Sequence, residues 1–186
     1  VVKTLKKKGK NKLRYFNRII KLLIQIQSIK HRKVKNFRNQ NYIIPKYDKK
    51  ILINEANLFC DWYAKNNLSK LRKKRFCKKF KKIIKELTLK LKLKDNIFVH
   101  RDFHVSNLMS VKNQIGLIDS QDALIGNKAY DLASLIDDVR LKTSYSFKEK
   151  IFKFYTKKQK NWDIKKFKND FEILSVLRNL KIIGII

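Results

Sequence analysis

Apolar residues recur at helical spacing in several stretches of this chain, and short continuous apolar runs lie between them. Over residues 15–29, Phe16, Ile19, Ile20, Leu23 and Ile26 share one face, while Arg18, Lys21 and Gln25 fall outside it. That is the period of an amphipathic helix. Asp48 is placed to cap a second helix running to about Lys65, with Leu52, Ala56, Phe59 and Trp62 or Tyr63 as its buried stripe. Glu55 falls beside that stripe, so its carboxylate is either paired within the fold or turned toward a cleft. A third helix, over 69–91, turns Phe76, Phe80, Ile83, Leu87 and Leu91 inward under a shell of lysines. Short β-type runs then predict strands at 97–99, 108–111 and 115–118, the last two joined by a tight turn at Lys112-Asn113-Gln114. Helices follow over 130–139, after a capping box of Ser146 with Glu149, and from Asp163 past Leu180. One Pro, four Gly and no linker or repeat predict a single domain over 1–186. The predicted class is α+β, mostly helical, with one small β element.

Charge changes the picture less than its size suggests. A net +32 attracts polyanions, so nucleic acid or an anionic membrane is a first thought. Lys far outnumbers Arg, however, and base-edge and bidentate phosphate recognition favour Arg. The lysines also sit on outer helix faces along most of the chain. They read as a solvated surface with only non-specific affinity for nucleic acid. Two cysteines, Cys60 and Cys77, with no metal or redox spacing, suggest a reducing compartment. No apolar run reaches membrane-span length and the first residues lack a signal-peptide core, so the expected location is cytoplasmic, with no membrane partner.

The chemistry is concentrated in Phe98-Val99-His100-Arg101-Asp102-Phe103-His104-Val105-Ser106-Asn107 and in Ile115-Gly116-Leu117-Ile118-Asp119. Asp and Asn in loops commonly cap turns, and any one of these residues alone reads that way. Together and in this order they supply what phosphoryl transfer needs: a carboxylate for the attacking hydroxyl, and an amide oxygen and second carboxylate for magnesium. His100 and His104 have the i, i+4 spacing of a zinc helix, but the Glu that follows the first His in such sites is missing and the flanks are strand-like.

The chain resembles the aminoglycoside phosphotransferase and choline kinase superfamily, most closely its bacterial branch of N-acetylmuramate/N-acetylglucosamine anomeric kinases. The resemblance rests on His100 to Met109, on Gly116-Leu117-Ile118-Asp119-Ser120-Gln121-Asp122-Ala123, and on Ala129 to Arg140. Weaker stretches are Pro45-Lys46-Tyr47-Asp48 with Glu55 and Leu58 to Tyr63, and Arg178 to Gly184. It implies Asp102 as catalytic base, Asn107 and Asp119 as magnesium ligands, and ATP with Mg2+ as cofactors. It also implies a role for His104 at the transferred phosphate or in bracing the loop. Asp131, with His100, would support the loop structurally. Asp122 and Glu55 would lie toward a small-molecule hydroxyl substrate, as in cell-wall sugar recycling. Ser120 departs from the branch, which carries Phe after the metal-binding Asp.

A working kinase of this type also needs a glycine-rich hairpin over the nucleotide and a Lys–Glu pair on an N-terminal lobe. No glycine-rich loop occurs here, and the first helix already belongs to the C-terminal lobe by the resemblance. The chain is therefore expected to be a C-lobe whose N-lobe partner is missing, truncated at both ends, or a degenerate gene product. Alone it is expected to be inactive. The alternative is a non-catalytic basic protein that binds nucleic acid, but such a protein has no need of the Asp102, Asn107 and Asp119 set.

Overall fold

Helix α1 (Asn11–Gln27) turns Phe16, Ile19, Ile20 and Leu23 into the core as the periodicity predicts, and each is almost fully buried. The structure is a computed structural model and describes residues 11–112, 114–138, 142–159 and 162–185. A short hairpin follows, β1 (Lys33–Lys35) with β2 (Asn41–Ile43), paired antiparallel. It was not predicted, because all six of its strand residues are exposed and no apolar alternation marks it. Its turn is instead built by Asn36, whose side-chain oxygen accepts from the Arg38 and Gln40 N–H groups, both at 2.9 Å.

Asp48 caps α2 (Lys49–Leu58), its Oδ1 accepting from Ile51 N–H at 2.9 Å. The chain then widens into a π-helical turn, Phe59–Tyr63, before α3 (Ala64–Asn67). The turn corrects the predicted stripe. Cys60 and Ala64 are buried, whereas Trp62 is 59% and Tyr63 46% exposed. The buried residues Leu52, Ala56, Cys60 and Ala64 are each four apart. Three such steps would carry a regular helix about 120° off the core, and a wider turn absorbs that drift. Gly184 sits against this turn: a Cβ there would lie 2.5 Å from Leu58 C and Phe59 N. Gly184→Ala is therefore expected to cost about 1–3 kcal/mol through overpacking, read as a lower denaturation midpoint.

Helix α4 (Lys70–Leu89) buries Phe80, Ile84 and Thr88, with Cys77 and Leu87 packed against the core. Ile83 and Phe76 are exposed, 53% and 39%, and Leu91 lies beyond the helix end, so the inward stripe runs one residue away from the predicted one at Ile83. The remainder of α4 presents Lys70, Arg72, Lys74, Arg75, Lys78 and Lys79 to water. Its binding to DNA or RNA is expected to be weak and without sequence or strand preference. Affinity should fall about 10³–10⁵-fold between ~50 and ~200 mM salt if roughly 6–10 phosphates are touched. A salt titration with several oligonucleotides checks this, and selective binding at physiological salt would contradict it.

Two antiparallel pairs follow. Strand β3 (Asp95–Val99) pairs with β6 (Leu124–Asn127), and β4 (Leu108–Val111) with β5 (Gln114–Leu117). The predicted strands exist with small shifts in boundary, Ile118 lying just outside β5 and 49% exposed. Asn113 of the predicted tight turn lies outside the described residues. Strand β6 was missed because it is four residues long and ends Gly126-Asn127, a pair that reads as a turn. Gly126 is there because Tyr47 crosses the strand: a Cβ would lie 2.8 Å from Tyr47 Cβ. Tyr47 N–H also donates to Ile125 O at 2.8 Å, and Ile125 N–H to Pro45 O at 2.8 Å.

Helix α5 (Ala129–Ile136) is buried at every residue and forms the centre of the molecule. The predicted end at Val139, like Arg140, lies outside the described residues. Helix α6 (Tyr145–Lys157) is capped by Ser144, whose Oγ accepts from Phe147 N–H, and not by Ser146, which is already inside the helix. Asp163 opens α7 (Ile164–Ile185), accepting from Lys166 N–H at 3.0 Å. Helix α7 packs along both α2 and α5. The protein is thus mostly helical α+β with small antiparallel sheets. Among the described residues, no helix is long and apolar enough to cross a membrane.

Candidate active site

The site is assembled at the end of β3. That strand is registered on β6, and Asn127 at the end of β6 caps α5 by accepting from Ala129 N–H at 3.0 Å. The capped helix presents Asp131 in its first turn. One Asp131 carboxylate oxygen accepts from His100 N–H at 2.7 Å and the other from Arg101 N–H at 3.0 Å. Past the end of the same helix, Asp138 accepts from Val105 N–H at 3.0 Å. Asp131 and Asp138 are seven residues apart, the spacing that returns side chains to one side of a helix. Two carboxylates from one direction thus hold the loop 100–107 at both ends.

Within the loop, the Asp102 carbonyl accepts from His104 N–H at 2.9 Å and from Asn107 Nδ2 at 3.0 Å. Asn107 N–H donates to His104 O at 3.0 Å, closing a short 3-10 turn over Val105–Asn107. The β4–β5 hairpin completes the arrangement: Leu108 is paired with Leu117, and Ile118 N–H donates to Asn107 O at 3.1 Å. Asn107 and Asp119 therefore leave the same end of the hairpin, and Asn107 Nδ2 lies 3.4 Å from Asp119 Oδ2. Gln121 Nε2 donates to the other Asp119 oxygen. Asp102, Asn107 and Asp119 are brought together.

Two of these positions have left-handed backbone, Arg101 at φ 73° and Asp119 at φ 70°. Such residues cost about 1–3 kcal/mol each and persist where the surroundings over-determine them. Aspartate tolerates the region better than arginine does. For Arg101 the restraint comes from Glu55, whose Oε1 accepts from Arg101 Nε at 3.0 Å and also from its Nη2. Lys181 Nζ reaches the same oxygen at 3.1 Å, and Tyr47 Oη donates to Oε2. Of the two alternatives for Glu55, the geometry is that of pairing within the fold.

His100 is fully buried, its ring edge-on to Phe103 at 6.2 Å. Burial holds its pKa below the usual histidine range against the pull of the Asp102 and Asp119 charges. His104 is also buried, at 7% exposure, with its backbone serving the loop on both sides. Burial pushes the Asp131 carboxyl up to about 7, against the pull of the two N–H groups it accepts from and of Arg178. Asp122 and Ser120 are exposed on the turn after Asp119, whose Ala123 N–H donates to Ser120 O at 3.1 Å. Sequence reasoning missed Asp138 and Gln121; only the seven-residue step from Asp131 marks the former.

Burial alone would raise the Glu55 pKa. The Lys181 charge, the Tyr47 hydroxyl and Arg101 together hold it below the usual glutamate range. A carboxyl depressed in the folded state contributes stability above its unfolded pKa and loses it as pH falls through the folded value. The stability difference between wild type and Glu55→Gln is therefore expected to be largest near neutral pH and to shrink on acidification below the ordinary glutamate range. Denaturant titrations across pH check the sign.

Asn107 carries an amide oxygen and Asp119 a carboxylate, the hard donor type that suits magnesium. Among the described residues, no cluster of three or more His, Cys, Asp or Glu side chains could hold a metal. Magnesium in phosphoryl transfer is usually held by one or two carboxylates together with the substrate's phosphates. A sequence profile of the phosphotransferase enzyme family matches residues 8–165. The chain belongs to that family. Within it, similar proteins include the N-acetylmuramate/N-acetylglucosamine kinase of Neisseria meningitidis serogroup B, 30% identical over 149 residues, covering 77% of this chain and 45% of that protein. The protein of the same name from Pseudomonas aeruginosa is 30% identical over 150 residues, covering 77% of this chain and 44% of the relative. That from Caulobacter vibrioides is 29% identical over 94 residues, covering 48% and 26%. The chain spans about half the length of the phosphotransferase relatives it matches.

Proposed function

We propose that this chain is the C-terminal lobe of a cytoplasmic, ATP-dependent phosphotransferase acting on a sugar or amino sugar hydroxyl, of the N-acetylmuramate or N-acetylglucosamine kind. The observation that supports this most is the convergence of Asp102, Asn107 and Asp119 on one anchored loop and one hairpin end. In this reading the Asp102 carboxylate orients the acceptor hydroxyl and takes up its proton as the oxygen attacks the terminal phosphate. Asn107 and Asp119 would hold the magnesium, which when bound offsets charge on the transferred phosphate. Asp131 and Asp138 keep the loop rigid, which this geometry requires. His104 either reaches toward the phosphate or braces the loop from its buried position, and Asp122, exposed on the turn after Asp119, would lie toward the acceptor.

The test is an ATP-consumption assay on the full-length protein with N-acetylmuramate, N-acetylglucosamine, glucose and an aminoglycoside as acceptors. Magnesium-dependent turnover with an amino sugar is the expected result. No stimulation by any sugar would refute the reading. The 186 residues alone are expected to show no turnover, because their sequence has no glycine-rich loop over the phosphates. Robust activity from them would show that no N-lobe is needed.

A further inference from the structure

The residue before Asp102 is unusual in two ways at once. Arg101 has left-handed backbone, at φ 73°, and its guanidinium is forked onto a carboxylate that is only 9% exposed. That carboxylate is itself fixed from three elements. Glu55 comes from α2, Lys181 from α7, and Tyr47 from the segment laid across β6, where its backbone bonds to Ile125 and its ring meets Tyr130 edge-on at 4.8 Å. Both Glu55 oxygens accept from donors of the fold, Oε1 from Arg101 and Lys181 and Oε2 from Tyr47.

We propose that Glu55 is a positioning residue for Asp102: through its ion pair with Arg101 it holds the left-handed turn from which the Asp102 carboxylate is presented. The proposal rests on the phosphotransferase reading above. The Arg101 N–H bond to Asp131 fixes one end of this turn, and the guanidinium pair fixes the side chain. An arginine with positive φ relaxes toward the right-handed or extended regions once its side chain is released. That relaxation rotates the Arg101–Asp102 peptide and swings the base away from the acceptor. The pair thus acts on the one loop residue that precedes the base and is itself strained.

The experiment uses the full-length protein with Glu55→Gln, Tyr47→Phe and, as a control, Thr88→Ala. Thr88 is buried on α4, and its hydroxyl donates to Lys85 O at 2.8 Å within the same helix. The readouts are kcat and KM for ATP and amino sugar, the melting temperature, and amide hydrogen exchange of the peptide containing 100–104. Glu55→Gln is expected to lower kcat about 10²-fold, the size of a small misplacement of a reacting group, and to speed exchange in that peptide. Both KM values should stay within about threefold of wild type, as for a group felt only in the transition state. Tyr47→Phe should show the same pattern more weakly, since Arg101 and Lys181 still hold the carboxylate. Thr88→Ala should lower the melting temperature while leaving kcat and loop exchange unchanged.

A Glu55→Gln enzyme with near-normal kcat would overturn the proposal. So would a loss of kcat matched by Thr88→Ala at equal loss of melting temperature. Should Glu55→Gln fail to fold, Tyr47→Phe decides by the same criteria. Should the wild type phosphorylate no sugar, the functional reading fails, and loop exchange still decides on positioning: unchanged protection in the variants overturns it.

Discussion

Asp102→Asn is expected to lower phosphoryl transfer by the full-length protein about 10²–10⁴-fold, the usual contribution of a positioned general base. The substitution preserves size and leaves the backbone carbonyl of residue 102, which ties the loop together through His104 and Asn107, in place. Binding of magnesium and ATP should therefore stay nearly intact, and the loss should fall on kcat. Asp119→Ala should behave in the opposite sense. It removes the carboxylate beside Asn107, so the magnesium requirement and the nucleotide KM should rise before the chemical step is touched. Steady-state kinetics over a magnesium series separate the two. If both variants keep near-normal rates, the roles assigned to this loop are wrong.

Asp131→Ala is expected to be the most destabilising single change in the site. Asp131 is fully buried and accepts from His100 and Arg101 N–H, and alanine leaves both donors inside the protein without an acceptor. Each buried orphan donor costs about 1–3 kcal/mol, so a loss of about 2–5 kcal/mol is expected. Urea denaturation measures it. Because the carboxyl is pushed up to about 7 by burial, the penalty should also depend on pH with a defined sign. A pKa raised in the folded state means that the native form favours the protonated acid. Wild-type stability from this group is full below the ordinary aspartate range and declines as pH rises through about 7. The alanine variant lacks that decline, so the gap between the two proteins should narrow from acid toward alkaline pH. A gap that widens with pH would show that the ionised carboxylate is the form the loop requires.

The 100–107 loop and the β4–β5 hairpin were legible in the sequence because the chemistry proposed for them constrains residue type at fixed spacing. A base, an amide and a second carboxylate can be seen without knowing which strands pair. The partner of β3 was not legible. Strand β6 is short and carries Gly126-Asn127, and its Gly serves the passage of Tyr47, a contact between segments far apart in the chain. The stripes on α1 and the first half of α2 followed regular periodicity. Beyond Leu58 the stripe failed because the helix widens, and nothing in Phe59-Cys60-Asp61-Trp62-Tyr63 announces a π turn except the four-residue recurrence of small residues. On α4 the stripe slipped at Ile83 against Ile84, where two adjacent isoleucines leave the phase open, and Phe76, also placed inward, is 39% exposed. Glu55 shows a different limit. Periodicity placed it at the edge of a stripe, but Tyr47, Arg101 and Lys181 converge on it only in three dimensions.

The β4–β5 hairpin has a further consequence for engineering. Asn107 and Asp119 stand at its base, held by the Leu108–Leu117 pairing and by the Ile118 bond to Asn107. The Val111–Gln114 pair closes the opposite end of the ladder. A slip of one residue in the pairing would turn every side chain to the other face and destroy the site. Extra residues at the tip cost only loop-closure entropy, about 0.6 kcal/mol per doubling of length. A reporter peptide or foreign loop can thus be spliced in between Val111 and Gln114 while the Leu108–Leu117 end of the hairpin stays as it is.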